Sequence, residues 1–198
     1  MERVNIRELL GPTILTRLPE QAEPSHIDTE TLEGKYVGLL FSRAFVPTCF
    51  RFAPKLKDVY DKQRESGTSF EVVLIPLDSS QESCDEQYST MPWSCLPWGS
   101  PEIQSLKKQF AVTTPPVLVM ISPDGHILSR DARLGVKDTP KDFPWKSVEA
   151  AVLSSYSFPP LRYYQNLTPG MKTKLKNAFM FIVPFLVMAF NWYYGAYS

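Results

Sequence analysis

The sequence predicts an α/β fold: a three-layer α/β/α sandwich with a mixed central sheet, followed by a C-terminal transmembrane helix. Three observations carry this. Short apolar runs with the length of buried strands, Val37 to Phe41 and Phe70 to Leu77, alternate with charged stretches of helical length. Pro116 to Ser122 and His126 to Arg130 flank the turn Pro123-Asp-Gly125, which reads as an antiparallel hairpin closing an otherwise parallel pattern. From Ala178 to Tyr197 there is no charged residue at all.

Taken in order, Lys35 to Phe41 is a central strand. Pro47 to about Ser66 is a helix started by proline, with Phe52, Leu56, Val59 and Tyr60 on one face and Gly67 as its stop. Phe70 to Leu77 is the second buried strand. Gln81 to Thr90 and Pro101 to Phe110 are helices, the latter capped by Ser100. The hairpin follows, and Trp145 to about Tyr156 is the last helix of the domain. The order is β-α-β-α-α-β-β-α, which requires parallel crossovers first and an antiparallel pair last.

At 198 residues and 43% hydrophobic, the chain can bury one good core with length to spare. Its 21 basic and 21 acidic residues cancel, so no strong field points to nucleic acid. Three cysteines (Cys49, Cys84, Cys95) without a CxxC pair, and two histidines, argue against a zinc ribbon, a metal cage or a small disulfide scaffold. No metal and no cofactor is expected. A sparse, odd thiol count suits a reducing compartment. Residues 1–18 mix acidic and basic side chains with no continuous apolar core, unlike a secretory signal.

Three regions follow: a folded domain at 1–156, a Pro-rich and basic linker at 157–176, and a tail anchor at 177–198. Twenty helical residues rise about 30 Å, enough to cross a hydrocarbon core. Trp192, Tyr193, Tyr194 and Tyr197 cluster at the far end like an interfacial belt, and Lys172, Lys174 and Lys176 precede the span. The basic flank keeps the folded domain on the cytosol-like side. The mitochondrial outer membrane is favoured, ahead of the endoplasmic reticulum and a matrix-facing inner-membrane position.

The chemistry-bearing stretch is Phe41-Ser-Arg-Ala-Phe-Val-Pro-Thr-Cys49-Phe-Arg-Phe-Ala-Pro54, a strand-to-helix turn holding one sulfur. With Leu32-Glu-Gly-Lys35, Phe70-Glu-Val-Val73, Met91-Pro-Trp93 with Pro97, Phe110-Ala-Val112 leading into Pro116, and Asp142-Phe-Pro-Trp145, it resembles the tryparedoxin/nucleoredoxin branch of the thioredoxin fold, from about Leu9 to Ala150. The resemblance implies two cysteines in a W-C-x-x-C turn. The first is an exposed thiolate favoured by the helix N-terminus, and the second resolves the mixed disulfide. Here Phe45 replaces the tryptophan and Val46 the attacking cysteine, so Val46-Pro47-Thr48-Cys49 is a degenerate site with Cys49 as the remnant resolving cysteine. The family also places a cis-proline, matched by Pro116, after a residue whose N–H grips substrate. Pro115 has no N–H to give.

The remaining candidates have plainer readings. Cys84, beside Asp85 and Glu86, reads as inert; Cys95, between Trp93 and Trp98, falls in a loop near the active-site surface. A Cys49–Cys95 disulfide is a weaker alternative. Arg43 and Arg51 bracket the motif as solvated cations or an anion site. Trp93, Trp98 and Trp145 read as packing, with Trp93 also assigned, beside Pro115 and Pro116, to a partner-facing surface. Asp78 ends the second strand as a turn residue.

The function expected is a membrane-anchored scaffold or accessory subunit, without dithiol activity, that binds a protein partner at a membrane it enters through residues 178–197. Two alternatives stay open: a monothiol oxidoreductase or redox sensor working through Cys49, and a regulator that holds an active relative at the membrane.

Overall fold

The computed structural model describes residues 2–17 and 24–146. The elements are α1 (Ile6–Leu10), β1 (Thr13–Thr16), β2 (Ser25–Asp28), a 3-10 turn (Thr29–Leu32), β3 (Tyr36–Ser42), α2 (Pro47–Glu65), β4 (Phe70–Pro76), α3 (Gln81–Ser89), β5 (Ser94–Cys95), α4 (Pro101–Gln109), β6 (Val117–Ile121), β7 (Ile127–Ser129) and α5 (Arg133–Asp138). The sheet runs β2-β1-β5-β4-β3-β6-β7.

β3 lies between its two partners because almost every side chain along it is apolar and buried. It pairs parallel to β4, with Leu40 opposite Leu74, and antiparallel to β6, with Leu39 opposite Val119. The sheet is therefore mixed. One core cluster joins α2, α3 and α5 side chains such as Leu56, Tyr88 and Val136 to one sheet face. The other joins α1 and α4, through Leu10 and Leu106, to the opposite face. Three layers result, as the sequence pattern implies. Full burial of Leu56 or Ile75 contributes about 1.5–3 kcal/mol each.

Helix α2 positions the site. Pro47 occupies its first turn, where a missing N–H costs nothing, and Phe52, Leu56, Val59 and Tyr60 face the core. The helix continues through Pro54, whose ring nitrogen cannot donate to the Phe50 carbonyl. Gly67, at φ 76°, takes the left-handed conformation just past its end.

Several elements differ from expectation. The β1/β2 hairpin, β5 and α5 were not foreseen, being short or rich in polar residues such as Thr13, Ser25, His26 and Asp28. The Ser100 hydroxyl does not cap α4; it donates to the Pro97 carbonyl at 2.6 Å instead. Trp145, expected to open a helix, has φ 49° and sits against α5, its indole N–H donating to Thr139 O at 3.0 Å. That fit requires Gly135, where a Cβ would lie 2.3 Å from Trp145 Cγ. The rest of the expected last helix, the linker and the tail at 177–198 lie outside the described residues. Among the described residues, no helix is long and apolar enough to cross a membrane.

Candidate functional site

The turn between β3 and α2 is held from below by β4. Asp78, just past the end of β4, accepts the Ala44 N–H at 2.7 Å through Oδ1, and Trp98 Nε1 donates to the Asp78 carbonyl at 3.1 Å. Burial pushes the Asp78 carboxyl above the usual carboxylate range, and its Oδ2 is buried with no partner among the described residues. Asp78 is thus more than the strand-ending turn residue the sequence suggested: it ties the turn to the sheet.

Above that clamp the chain lifts Phe45 into solvent. Its φ is 59° and it is 78% exposed. Val46 follows as the N-cap of α2 with extended φ −91° and ψ 115°, and it makes no side-chain capping bond. Its carbonyl accepts the Phe50 N–H at 3.1 Å, so the helix is closed behind it. Cys49 lies in the first turn of α2 and is only 2% exposed. Val46 is half-buried between the exposed Phe45 and Pro47, and the Cys49 sulfur lies below the surface.

The sheet order separates the remaining site residues. β5 and β6 flank β3 from opposite sides, β5 beyond β4 and β6 directly. On the β6 side, the Pro115–Pro116 bond is cis, as the motif implies, and the Thr48 hydroxyl reaches the Pro115 carbonyl at 3.5 Å. On the β5 side, a groove of about 610 Å³ runs between the start of α2 and the end of α3. Phe45, Val46, Cys49 and Trp93 line it together, whereas Pro115 and Pro116 do not. The sequence grouped Trp93 with the two prolines as one partner surface. The structure divides them between two flanks, and Trp93 is only 2% exposed.

All three cysteines are free and buried. Cys84 lies in α3 and faces the core. Cys95, expected near the active-site surface, is instead enclosed in β5, paired with Leu15 and Leu74. Its thiol donates to the Leu96 carbonyl at 3.1 Å. A hydrogen bond with Cys84 and deep burial push the Cys95 thiol well up, which makes it a poor nucleophile. Cys95 is absent from the groove that holds Cys49. Arg43 and Arg51 both reach that groove, while Trp145 is buried as packing and Trp98 is 41% exposed. Sequence reasoning missed Gln87 and Phe50 at the groove. Nothing in the polar run around Gln87 distinguishes it from a solvated helix face. No cluster suited to a metal ion occurs among the described residues.

A thioredoxin-like family profile matches residues 34–127, from the approach to β3 through the start of β7. Tryparedoxin of Trypanosoma brucei brucei is 34% identical over 128 residues, covering 63% of this chain and 88% of that protein. The chain belongs to the tryparedoxin/nucleoredoxin family of thioredoxin-like proteins. Probable nucleoredoxin 1 of Arabidopsis thaliana is 42% identical over 102 residues, 52% of this chain and 18% of that protein. Nucleoredoxin of Xenopus laevis is 36% identical over 140 residues, covering 69% and 32% respectively. The chain thus spans a fifth to a third of the nucleoredoxins' length. Among solved structures, tryparedoxin II from C. fasciculata superposes with TM-score 0.63 at 32% identity, covering 72% of this chain and 99% of that one. Within this tryparedoxin/nucleoredoxin domain, the family's thiol-bearing turn reads Val46-Pro-Thr-Cys49.

Proposed function

We propose that this chain is a membrane-anchored member of its family that has lost dithiol-disulfide oxidoreductase activity and serves as a scaffold or accessory subunit, binding a protein partner. The observation that carries the reading is the occupant of the α2 N-cap: Val46 stands where an attacking thiolate would be stabilised, and the one nearby sulfur is buried a turn further on. Pro115 supports it from the opposite side, because it has no N–H to pair with a substrate strand. Phe45, 78% exposed, and the half-buried Val46 and Pro115 carry no reactive group, which suits a lasting contact.

The anchor in this proposal is the uncharged run 178–197 behind its three lysines. It places the domain on the cytosol-like face of a membrane, the mitochondrial outer membrane before the endoplasmic reticulum or the matrix side of the inner membrane. Fractionation of cells expressing the chain with and without residues 171–198 tests the anchor: carbonate-resistant membrane association that survives the deletion rules it out. Turnover in an insulin-reduction assay tests the loss of activity. A rate matching a dithiol tryparedoxin removes the proposal.

One observation favours a second reading. Cys49, although buried, lines the groove, so a small opening of the Phe45–Val46 turn would expose it. It would then act as a monothiol: the thiolate attacks a disulfide, one S–S bond forms as another breaks, and a thiolate leaves. Alkylation of Cys49 in the folded protein separates the two readings. Labelling as fast as a free thiol supports the monothiol.

A further inference from the structure

The groove on the β5 flank contains two polar atoms without partners. The Trp93 indole N–H, a donor, and Gln87 Oε1, an acceptor, are both buried and have no hydrogen-bond partner among the described residues, and both residues line the groove. Gln87 is oriented by its own amide nitrogen, which donates to Ser42 Oγ at 2.8 Å and leaves the oxygen over. Leaving such a group buried and unpaired carries a desolvation penalty that a bound ligand can relieve. One donor and one acceptor beside the same apolar channel complement one carbonyl and one N–H, the pair that every peptide unit carries.

The surroundings narrow the occupant. Val46, Pro47, Pro54, Met91 and Pro92 supply apolar walls, and Phe50, 81% exposed, stands with Phe45 at the groove. Three cations reach it, Arg43, Arg51 and Lys57, against the single acid Glu86. Lys57 is already engaged by Asp61 at 2.5 Å. Arg43 and Arg51 therefore leave an excess of positive charge. Volume fits too: about 610 Å³ accommodates two or three apolar side chains with their backbone.

We infer that this groove, rather than the proline flank used for disulfide substrates, holds an acidic, apolar peptide segment of a protein partner, its backbone amide meeting Trp93 Nε1–H and Gln87 Oε1. The inference rests on the partner-binding reading above and deepens it by naming the face and the chemistry. The old substrate side has lost a donor at Pro115, while this side keeps a donor and an acceptor unspent. Charge at Arg43 and Arg51 selects acidic side chains and steers their approach.

The test uses the full-length chain and three probes: a fluorescent acetylated hexapeptide Glu-Leu-Phe-Leu-Asp-Leu, the same peptide with lysines in place of its two acids, and decanoate. Anisotropy gives affinities, and the indole resonances of the four tryptophans, assigned with Trp93→Phe, report the site. The expected result is binding of the acidic peptide at least tenfold more tightly than the basic one, with the Trp93 indole resonance moving downfield. Trp93→Phe, which keeps ring packing and removes the N–H, weakens binding about 3- to 10-fold, the range of one hydrogen bond. Gln87→Met provides an independent loss of similar size, and Arg51→Glu abolishes the preference for acid. Equal binding by wild type and both hydrogen-bond variants overturns the inference, as does absence of binding by either peptide. Backbone amide shifts confined to Thr48 and Val117 in the same spectra would place the partner on the proline flank and overturn the inference. Displacement of the peptide by decanoate at equal concentration would make the groove a fatty-acid site instead. Insulin reduction by the same preparation reports separately on the underlying reading, so the two can fail independently.

Discussion

Restoring one sulfur should restore only part of an enzyme. Val46→Cys places a thiol at the N-cap of α2, whose backbone geometry is already extended and whose side chain makes no capping bond. A thiol there, with pKa near ~7 rather than ~8.5, is about half ionised at pH 7 instead of about 3%, roughly a 16-fold gain in thiolate. Lower basicity reduces nucleophilicity by about 5-fold over the same interval, for a Brønsted slope of about 0.45. The net advantage of the position is therefore only about 3-fold over any exposed thiol. The larger effects are access, because Cys49 at 2% exposure is hardly reachable, and resolution, because Cys49 then lies one turn away to close the disulfide. Substrate grip stays missing while Pro115 offers no N–H. Pro115→Val in the Val46→Cys background should add about 2- to 13-fold, the worth of one hydrogen bond at about 0.5–1.5 kcal/mol. The assay is insulin reduction driven by a small dithiol, with mass spectrometry for the disulfide to Cys49. Wild type matching Val46→Cys would refute the argument about position 46. A double variant no faster than the single one would refute the argument about Pro115.

Three further outcomes follow from the same geometry. Asp78→Asn keeps an oxygen for the Ala44 N–H and removes a carboxyl whose folded pKa is raised by burial. The folded state holds that proton more tightly than the unfolded one, so the group's contribution is full below the ordinary carboxylate range and declines as pH rises through the raised value. Denaturant titrations from acid to neutral pH should show the variant losing less stability on that rise than wild type, and a steeper loss in the variant would contradict the assignment. Tyr60 donates to Glu71 at 3.0 Å, and burial ahead of the Glu71 charge pushes its phenol up to about 12. Tyr60→Phe should cost about 1 kcal/mol at pH 7 and reduce the stability loss that wild type shows between about pH 10 and 12, monitored by circular dichroism; the buried Tyr88, whose phenol is also pushed up, supplies the rest. Gly135→Ala puts a methyl 2.3 Å from Trp145 Cγ, so the ring must leave its site. The expected cost is about 3 kcal/mol, with a changed near-ultraviolet spectrum.

What the sequence disclosed follows from how strongly each segment is patterned. β3, β4 and the hairpin β6/β7 are legible because burial on both faces demands unbroken apolar runs, and α2 because proline starts it and Gly67 stops it. The β1/β2 hairpin was missed for the converse reason: β2 alternates Ser25, His26, Ile27 and Asp28 half exposed at the sheet edge, a pattern shared with many loops. β5 is two residues long and exists through pairing with β1 and β4, which no local signal encodes. At the site, the Pro115–Pro116 step is legible because a proline pair constrains the backbone, and Val46 and Cys49 fall at the strand-to-helix turn where the motif puts them. The role of Asp78 and the unpaired state of Gln87 Oε1 and Trp93 Nε1 are tertiary facts. They depend on which atoms β4 and α3 bring under the turn, and a sequence of polar and aromatic letters does not record which hydrogen bonds are left unmade.

That distinction bears on the proposed use of this turn as a binding surface. In a dithiol protein the reactive sulfur and the strand-gripping N–H face one another across the β3/β6 side, and both must persist for the reaction to be worth keeping. On the proposed reading Val46 offers no sulfur and Pro115 no donor, while the turn keeps the Asp78–Ala44 hydrogen bond, the cis Pro115–Pro116 bond and the reach from Thr48 to Pro115. The turn is tied to β4 by Asp78 although its one thiol, Cys49, is buried. Rigidity has value for a binding face as well as for catalysis, because a partner then does not have to order the surface it meets. Beside that turn the β5 flank holds two buried, unpaired polar atoms that also line a groove, Trp93 Nε1 and Gln87 Oε1, and a contact there would recover about 1–3 kcal/mol for each atom it satisfies.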